Sequence, residues 1–172
     1  WPGTVMQYTV PRTLPADAVS SATVLGTVKN GGEAGYNYLQ MFLGEIPGAL
    51  GETSKLLLLV GFAYLCYMGI VNAGAALTYI GTVLLLTFVF GPTGLFTGDI
   101  LLNLFGGGLM LGAWFMATDY VTTPITPKGQ LVYGCCLGIV TAVFRLFGGS
   151  AEGVSYAIIF CNLLVPLIEK AT

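Results

Sequence analysis

Five apolar stretches, at about 54–72, 75–91, 99–118, 130–147 and 153–169, occupy most of the chain after Glu52. Each approaches the roughly 20 residues that an α-helix needs to cross a bilayer, the second only marginally. Backbone polar groups cannot face hydrocarbon unpaired, so runs of this length are read as helices. A membrane barrel strand would alternate apolar and polar residues, and these runs do not. Composition agrees, because 8% of the 172 residues are charged and 55% are hydrophobic. A soluble domain carries about a quarter charged residues to keep its surface wet. The expected fold class is therefore all-α, a polytopic transmembrane helical bundle of about five spanning helices. Residues 52–172 form its membrane domain. Residues 1–51, rich in Gly, Pro, Ser and Thr, form an extramembrane or interfacial segment in which 36–43 is expected as a short interfacial helix.

The few charges punctuate the stretches as helix electrostatics requires. Glu52, Asp99 and Glu152 stand at N-terminal ends, where the helix dipole and free N–H groups favour an anion. Arg145 and Lys170 stand near C-terminal ends, from which long basic side chains can snorkel to the interface. Across five crossings Lys55 and Arg145 fall on one side, with Lys128 and Lys170 on the other, so the positive-inside count ties.

Several chemistries are excluded. A net charge of −2 with six scattered basic residues gives no electrostatic footprint for nucleic acid. Without histidine the chain alone builds no bis-histidine haem, histidine zinc site or Ser-His-Asp triad. Cys66, Cys135, Cys136 and Cys161 form no CxxC pair and are expected as buried packing thiols. A start at Trp1-Pro2-Gly3 without a basic region and apolar core reads as the interior of a longer protein, or a processed one.

Three features carry candidate chemistry. Gly106-Gly107-Gly108 interrupts the third stretch; it serves either tight helix packing or an unwound half-helix lining an ion or cofactor path. Asp119, followed by Thr122, Thr123, Pro124, Thr126 and Pro127, either coordinates a hard cation such as sodium or satisfies backbone groups at a loop entry. In "DAVSSATVL", Asp17 to Leu25, the hydroxyls of Ser20, Ser21 and Thr23 either cap a helix starting near Val24 or frame a covalent attachment site. In the second case a threonine carries a phosphodiester held by hydroxyls and free N–H groups, and the small Ala22 keeps the approach open.

Asp17-Ala18-Val19-Ser20-Ser21-Ala22-Thr23 resembles the flavinylation motif Asp-x-x-Ser/Thr-Gly/Ser-Ala-Thr, with Ser21 where that motif often has glycine. "GALGETS" (Gly48 to Ser54), "FMATDYVTTPITPKGQLVYG" (Phe115 to Gly134) and "EGVSYAIIFCNLLVPLIEK" (Glu152 to Lys170) follow in order. Together they resemble the D subunits of Rnf electron-transport complexes, relatives of the B subunit of sodium-pumping NADH:quinone oxidoreductase. The resemblance implies FMN joined to Thr23 through its phosphate by a separate flavin transferase, with Asp17, Ser20, Ser21 and Ala22 as recognition or positioning residues. It implies that Glu52, Thr53 and Ser54 lie near the phosphate. It further implies a multi-pass protein of a bacterial or archaeal plasma membrane, the flavin outside and the C-terminus cytoplasmic. The chain would be one half of an inverted-repeat architecture. Its partners would be other Rnf subunits, including a second flavoprotein and iron-sulfur subunits, with sodium or protons transported. A channel or transporter without redox function, with Gly106–Gly108, Asp119, Thr122 and Thr123 on the ion route, is the alternative, and a membrane scaffold the third.

Overall fold

A computed structural model describes residues 25, 37–44, 51–91, 94–96, 98–148 and 153–172. Among them the chain is mostly helical, and the only strands are two-residue pieces. Helix α1 (Tyr38–Leu43) is followed by α2 (Lys55–Tyr67) and α3 (Ala73–Val89). A small antiparallel ladder then joins β1 (Phe90–Gly91) to β2 (Gly94–Leu95), with Phe90 opposite Leu95. Helix α4 (Ile100–Phe105) stops at the three glycines, and α5 (Leu109–Leu111) runs directly into a π-helical turn, Gly112–Met116. The wider turn is marked by the Ala117 N–H donating to the Gly112 carbonyl, five residues back. Helix α6 (Pro127–Phe147) is the longest, and α7 (Val154–Asn162) and α8 (Val165–Ala171) close the bundle.

Helix starts follow capping chemistry. Ser54, Asp99 and Thr126 each accept a hydrogen bond from the N–H three residues on, at Leu57, Leu102 and Gly129. Each thereby satisfies one of the donors that a first helical turn leaves open. Pro127 does not break the fourth stretch but begins it. A proline at the first helical position loses an N–H that had no partner anyway, so α6 starts three residues ahead of the expected boundary. At 21 residues it is about 31 Å long, the thickness of a hydrocarbon core. It alone among the described helices is long and apolar enough to cross a membrane by length and composition.

Two expected stretches are broken. The third divides at Gly106–Gly108 into two half-helices. The fifth divides at Leu163–Leu164, because Pro166 has no N–H to give to the carbonyl four residues back. The short helix expected over 36–43 is present as α1.

The core sits where α3, α5, α6 and α7 meet, built on Tyr79, Val83, Leu109, Ala113, Tyr133, Leu137, Ala157 and Cys161. Large apolar side chains such as Leu77, Leu85, Ile139, Val143 and Ile159 face outward, while Lys55, Glu52, Thr87, Thr141 and Arg145 are buried. Outward hydrocarbon beside these buried polar groups is the distribution expected where the surroundings are apolar, while the charges of Asp99, Asp119, Lys128, Glu169 and Lys170 are exposed at helix ends and loops. Thr78, Thr82 and Thr87 donate to carbonyls one turn back in α3, which satisfies their hydroxyls without a partner helix. Two clasps join helices: Tyr79 and Thr141 share a 2.8 Å hydrogen bond between α3 and α6, and the Tyr133 hydroxyl donates to Asn162 in α7. The expectation of four buried thiols is corrected. Only Cys161 is buried, Cys66 and Cys136 are half-buried, and Cys135 is exposed, since it lies on the outward face of α6.

Candidate functional site: a broken helix ringed by buried charge

The glycine triplet is a built interruption, and each glycine is there for its own reason. A Cβ on Gly106 would lie 2.5 Å from the Leu102 carbonyl oxygen and 3.3 Å from Cδ1 of Leu25. Gly107 has φ +68°, a left-handed conformation that costs an L-residue about 1–2 kcal/mol. A Cβ on Gly108 would lie 2.6 Å from Oε2 of Glu52. The close approach of a carboxylate, a leucine and the chain's own carbonyl therefore excludes side chains here.

Charged side chains fill the gap. The carbonyl end of α4 is orphaned by the break, and two cations hold it. Arg145 donates through Nη1 to the Asn103 carbonyl (2.6 Å) and through Nη2 to that of Gly106 (3.4 Å). The Lys55 ammonium donates to the Gly107 carbonyl at 3.0 Å and to the backbone carbonyl of Glu52. Cations belong at this pole of a helix dipole, and the Glu52 carboxylate stands beside Gly108 at the opposite pole, where the next half-helix begins. Lys55 is 1% exposed, Glu52 and Arg145 each 6%. These side chains are buried and do not reach for water, so the expectation that Arg145 snorkels to the interface is corrected. The open carbonyls lie inward, and the side chain follows them.

Nearby, α1 is latched to the start of α4. The Tyr38 hydroxyl donates to Oδ2 of Asp99. That hydrogen bond and the carboxylate's charge raise the Tyr38 phenol above its ordinary value. Phe42 meets Phe105 edge-on, with ring centroids 5.6 Å apart.

Asp119 lies at the far end of the second half-helix, whose eight residues from Leu109 to Met116 span roughly 12 Å. The structure therefore does not bring it together with the glycines. Its contacts are local. Thr122 donates to its carboxylate at 3.3 Å, and Thr123 donates to its backbone carbonyl at 2.7 Å. Thr126 bonds Thr172 at 3.1 Å and Ile125 N–H donates to Glu169 at 3.2 Å, so the C-terminus shares this end. A cavity of about 530 Å³ opens there, walled by Cys66, Asn72, Thr118, Tyr120, Thr123 and Gln130. Among the described residues no group of three or more His, Cys, Asp or Glu is placed to hold a metal ion.

Of the residues expected near a phosphate, Ser54 caps α2, Thr53 is half-buried and Glu52 faces Gly108. Asp17, Ser20, Ser21, Ala22 and Thr23 lie outside the described residues, as does Glu152. Their downstream flank does not. Leu25, two residues after Thr23, is buried against the glycine break. Sequence reasoning missed Lys55 and Arg145 as members of one cluster. They are 90 positions apart, and only their shared side across the five expected crossings hinted at a common role.

A family model described as the NQR2, RnfD, RnfE family matches residues 1–172. The chain is 42% identical over 182 residues to the D subunit of the proton-translocating ferredoxin:NAD(+) oxidoreductase complex of Clostridium ljungdahlii, covering 100% of this chain and 55% of that protein. It is 40% identical over 178 residues to the D subunit of the Na(+)-translocating ferredoxin:NAD(+) oxidoreductase complex of Acetobacterium woodii, covering 100% and 52%. The D subunit of the ion-translocating oxidoreductase complex of Stutzerimonas stutzeri is 37% identical over 169 residues, covering 90% and 47%. The chain spans about half the length of the curated relatives it matches.

Proposed function

The chain belongs to the NQR2, RnfD, RnfE family, and from that membership we propose that it is part of a membrane-embedded flavoprotein subunit. The subunit carries electrons within an ion-translocating ferredoxin:NAD oxidoreductase complex, with FMN attached to Thr23 by a phosphoester bond. The observation that carries the reading is a junction: the attachment motif Asp17–Thr23 runs straight into Leu25, which packs on a helix break ringed by buried charge.

In this reading Thr23 supplies the hydroxyl oxygen, and Asp17, Ser20, Ser21 and Ala22 present it to the transferase. A phosphoester leaves the isoalloxazine ring unaltered, so the group when bound supplies one- or two-electron transfer. The protein supplies position and electrostatics. Ser54 fixes the start of α2 and Glu52 turns toward Gly108, which directs its negative charge at the half-helix.

The arrangement of ends supports the proposed topology. Leu25 and the glycine break occupy one end of the bundle, while Thr172 and the Asp119 loop occupy the other. Five crossings, two of them by interrupted helices, would place the flavin outside and the C-terminus in the cytoplasm of a bacterial or archaeal cell. This segment would be one half of an inverted repeat. Its partners would be other subunits of the complex, among them a second flavoprotein and iron-sulfur subunits, with a flavin transferase acting during assembly and sodium or protons as the transported ion.

The test is covalent. A denatured, acid-washed gel band of the subunit co-expressed with the transferase fluoresces as flavin, and Thr23→Ala abolishes the fluorescence. A dark wild-type band refutes the flavoprotein reading; a bright Thr23→Ala band moves the tether to another residue. The broken helix also favours a second reading, a transporter subunit without redox function in which Gly106–Gly108, Asp119, Thr122 and Thr123 line the ion route. That reading gains if the wild-type band is dark while the assembled complex still moves ions.

A further inference from the structure

The two halves of the third stretch are held very differently. The second half is locked into the bundle. Leu109, Ala113 and Ala117 are buried, Trp114 stacks on Phe62 of α2 with ring centroids 5.5 Å apart, and a Cβ on Gly112 would lie 2.3 Å from Cγ1 of Val154 in α7. The first half, α4, buries none of its six residues. Leu104 and Phe105 touch the main core only as half-buried neighbours. What α4 does share is a small cluster with α1, in which Met41 is fully buried against Leu102 and Phe105. The Phe42–Phe105 ring contact and the Tyr38–Asp99 hydrogen bond tie the same two helices.

Both elements end on left-handed glycines: Gly44 follows α1 with φ +98°, and Gly107 lies beyond α4 with φ +68°. Around Gly107 the two cations have different duties. Lys55 of α2 bonds the Gly107 carbonyl itself, whereas Arg145 of α6 bonds those of Asn103 and Gly106, on the α4 side. We propose that α1 and α4 form one lid that swings about Gly107, with Lys55 pinning the pivot and Arg145 acting as the catch. The proposal holds whether or not Thr23 carries a flavin.

Local opening draws on segments with few buried contacts, while the packed core sets the global limit. Lifting the lid breaks the two Arg145 bonds and the edge contacts of Leu104 and Phe105. It leaves the Met41 cluster and the Tyr38–Asp99 latch intact, so α1 and α4 travel together. Glycine visits backbone conformations closed to other residues, which concentrates the bend at Gly107. The consequence is access: the buried side chains of Arg145 and Glu52 become reachable from the Tyr38 end of the bundle.

Hydrogen–deuterium exchange of the full-length subunit in lipid nanodiscs tests the lid, read by mass spectrometry on peptides covering 38–44, 100–106 and 109–117. The first two peptides should show one common protection factor, well below that of the third. Arg145→Met removes the catch and should quicken both lid peptides together by roughly tenfold or more, as loss of a charge-assisted hydrogen bond implies. The 109–117 peptide should keep its wild-type rate. Arg145→Lys keeps a cation that cannot bridge two carbonyls, and should fall between. Exchange of 100–106 in step with 109–117, or of 38–44 independently of 100–106, overturns the proposal. So does an Arg145→Met protein in which all three peptides quicken alike. Should Arg145→Met fail to assemble, the same comparison in wild type and Arg145→Lys decides.

Discussion

Gly138→Ala is the sharpest test of how closely the two central helices approach. Gly138 lies on the face of α6 that packs against α3. A Cβ added there would lie 2.4 Å from Cβ of Thr82, 2.6 Å from its Cγ2 and 3.2 Å from the Tyr79 carbonyl oxygen. Carbon atoms rest about 3.5–4.0 Å apart, so the helices must part by about 1 Å at this level. The nearest obstacle is a Cβ, which cannot swing aside as a side-chain tip does. Three terms combine. Overpacking a tight site costs about 1–3 kcal/mol. Removing a helix-interior glycine returns about 1 kcal/mol of propensity. Parting the helices also loosens the 2.8 Å Tyr79–Thr141 clasp, less than one turn along α6, and such bonds in membranes contribute about 0.6–1.7 kcal/mol. The net expectation is a destabilisation of about 1–3 kcal/mol. Unfolding of the full-length subunit by SDS titration in mixed micelles measures it. Thr82→Gly removes both carbon obstacles, so in the Gly138→Ala background it should return part of the loss, as a coupling energy from a double-mutant cycle. A Gly138→Ala protein as stable as wild type, or two strictly additive substitutions, would refute the close-approach reasoning.

Tyr79→Phe removes the clasp itself and should lower stability in the same titration by about 0.6–1.7 kcal/mol, with little change to helix content by circular dichroism. Asp99→Ala removes the cap of α4 and the acceptor for Tyr38; lost capping alone should cost about 1 kcal/mol, and proteolysis between α1 and α2 should quicken. Because the Tyr38 phenol is raised by Asp99, the latch is fully present below the unfolded tyrosine value and is lost as pH rises through the folded one. A Tyr38→Phe protein should therefore lack that alkaline component in a comparison of stability against pH. Asp119→Asn keeps an acceptor for Thr122 and leaves the Thr123 bond to the backbone in place. Ion transport by the complex in vesicles should be unchanged, and a loss would put Asp119 on the ion route.

Sequence alone determined the class of solvent and the class of structure. Runs of apolar residues with charges only at their ends leave helices as the one way to satisfy the backbone in lipid, and the described residues fold that way. Capping was equally legible at Asp99, because a carboxylate at a helix start acts within three residues of itself. The order of motif blocks was also on the surface of the sequence, and it led to the family to which the chain belongs. Local chemistry of this kind reads directly from neighbours along the chain.

What tertiary structure decided was the use of the exceptions. Three glycines are compatible with close packing or with an unwound helix, and only the positions of Glu52, Leu25 and Leu102 around them explain why no side chain fits. Arg145 near a helix end predicts a side chain reaching for water, but the broken helix offers carbonyls closer by, and the guanidinium turns inward. Lys55 and Arg145 became one site because they come from helices far apart in sequence. A charge's partner is set by which orphaned dipole lies within reach, and that distance exists only after the helices have packed.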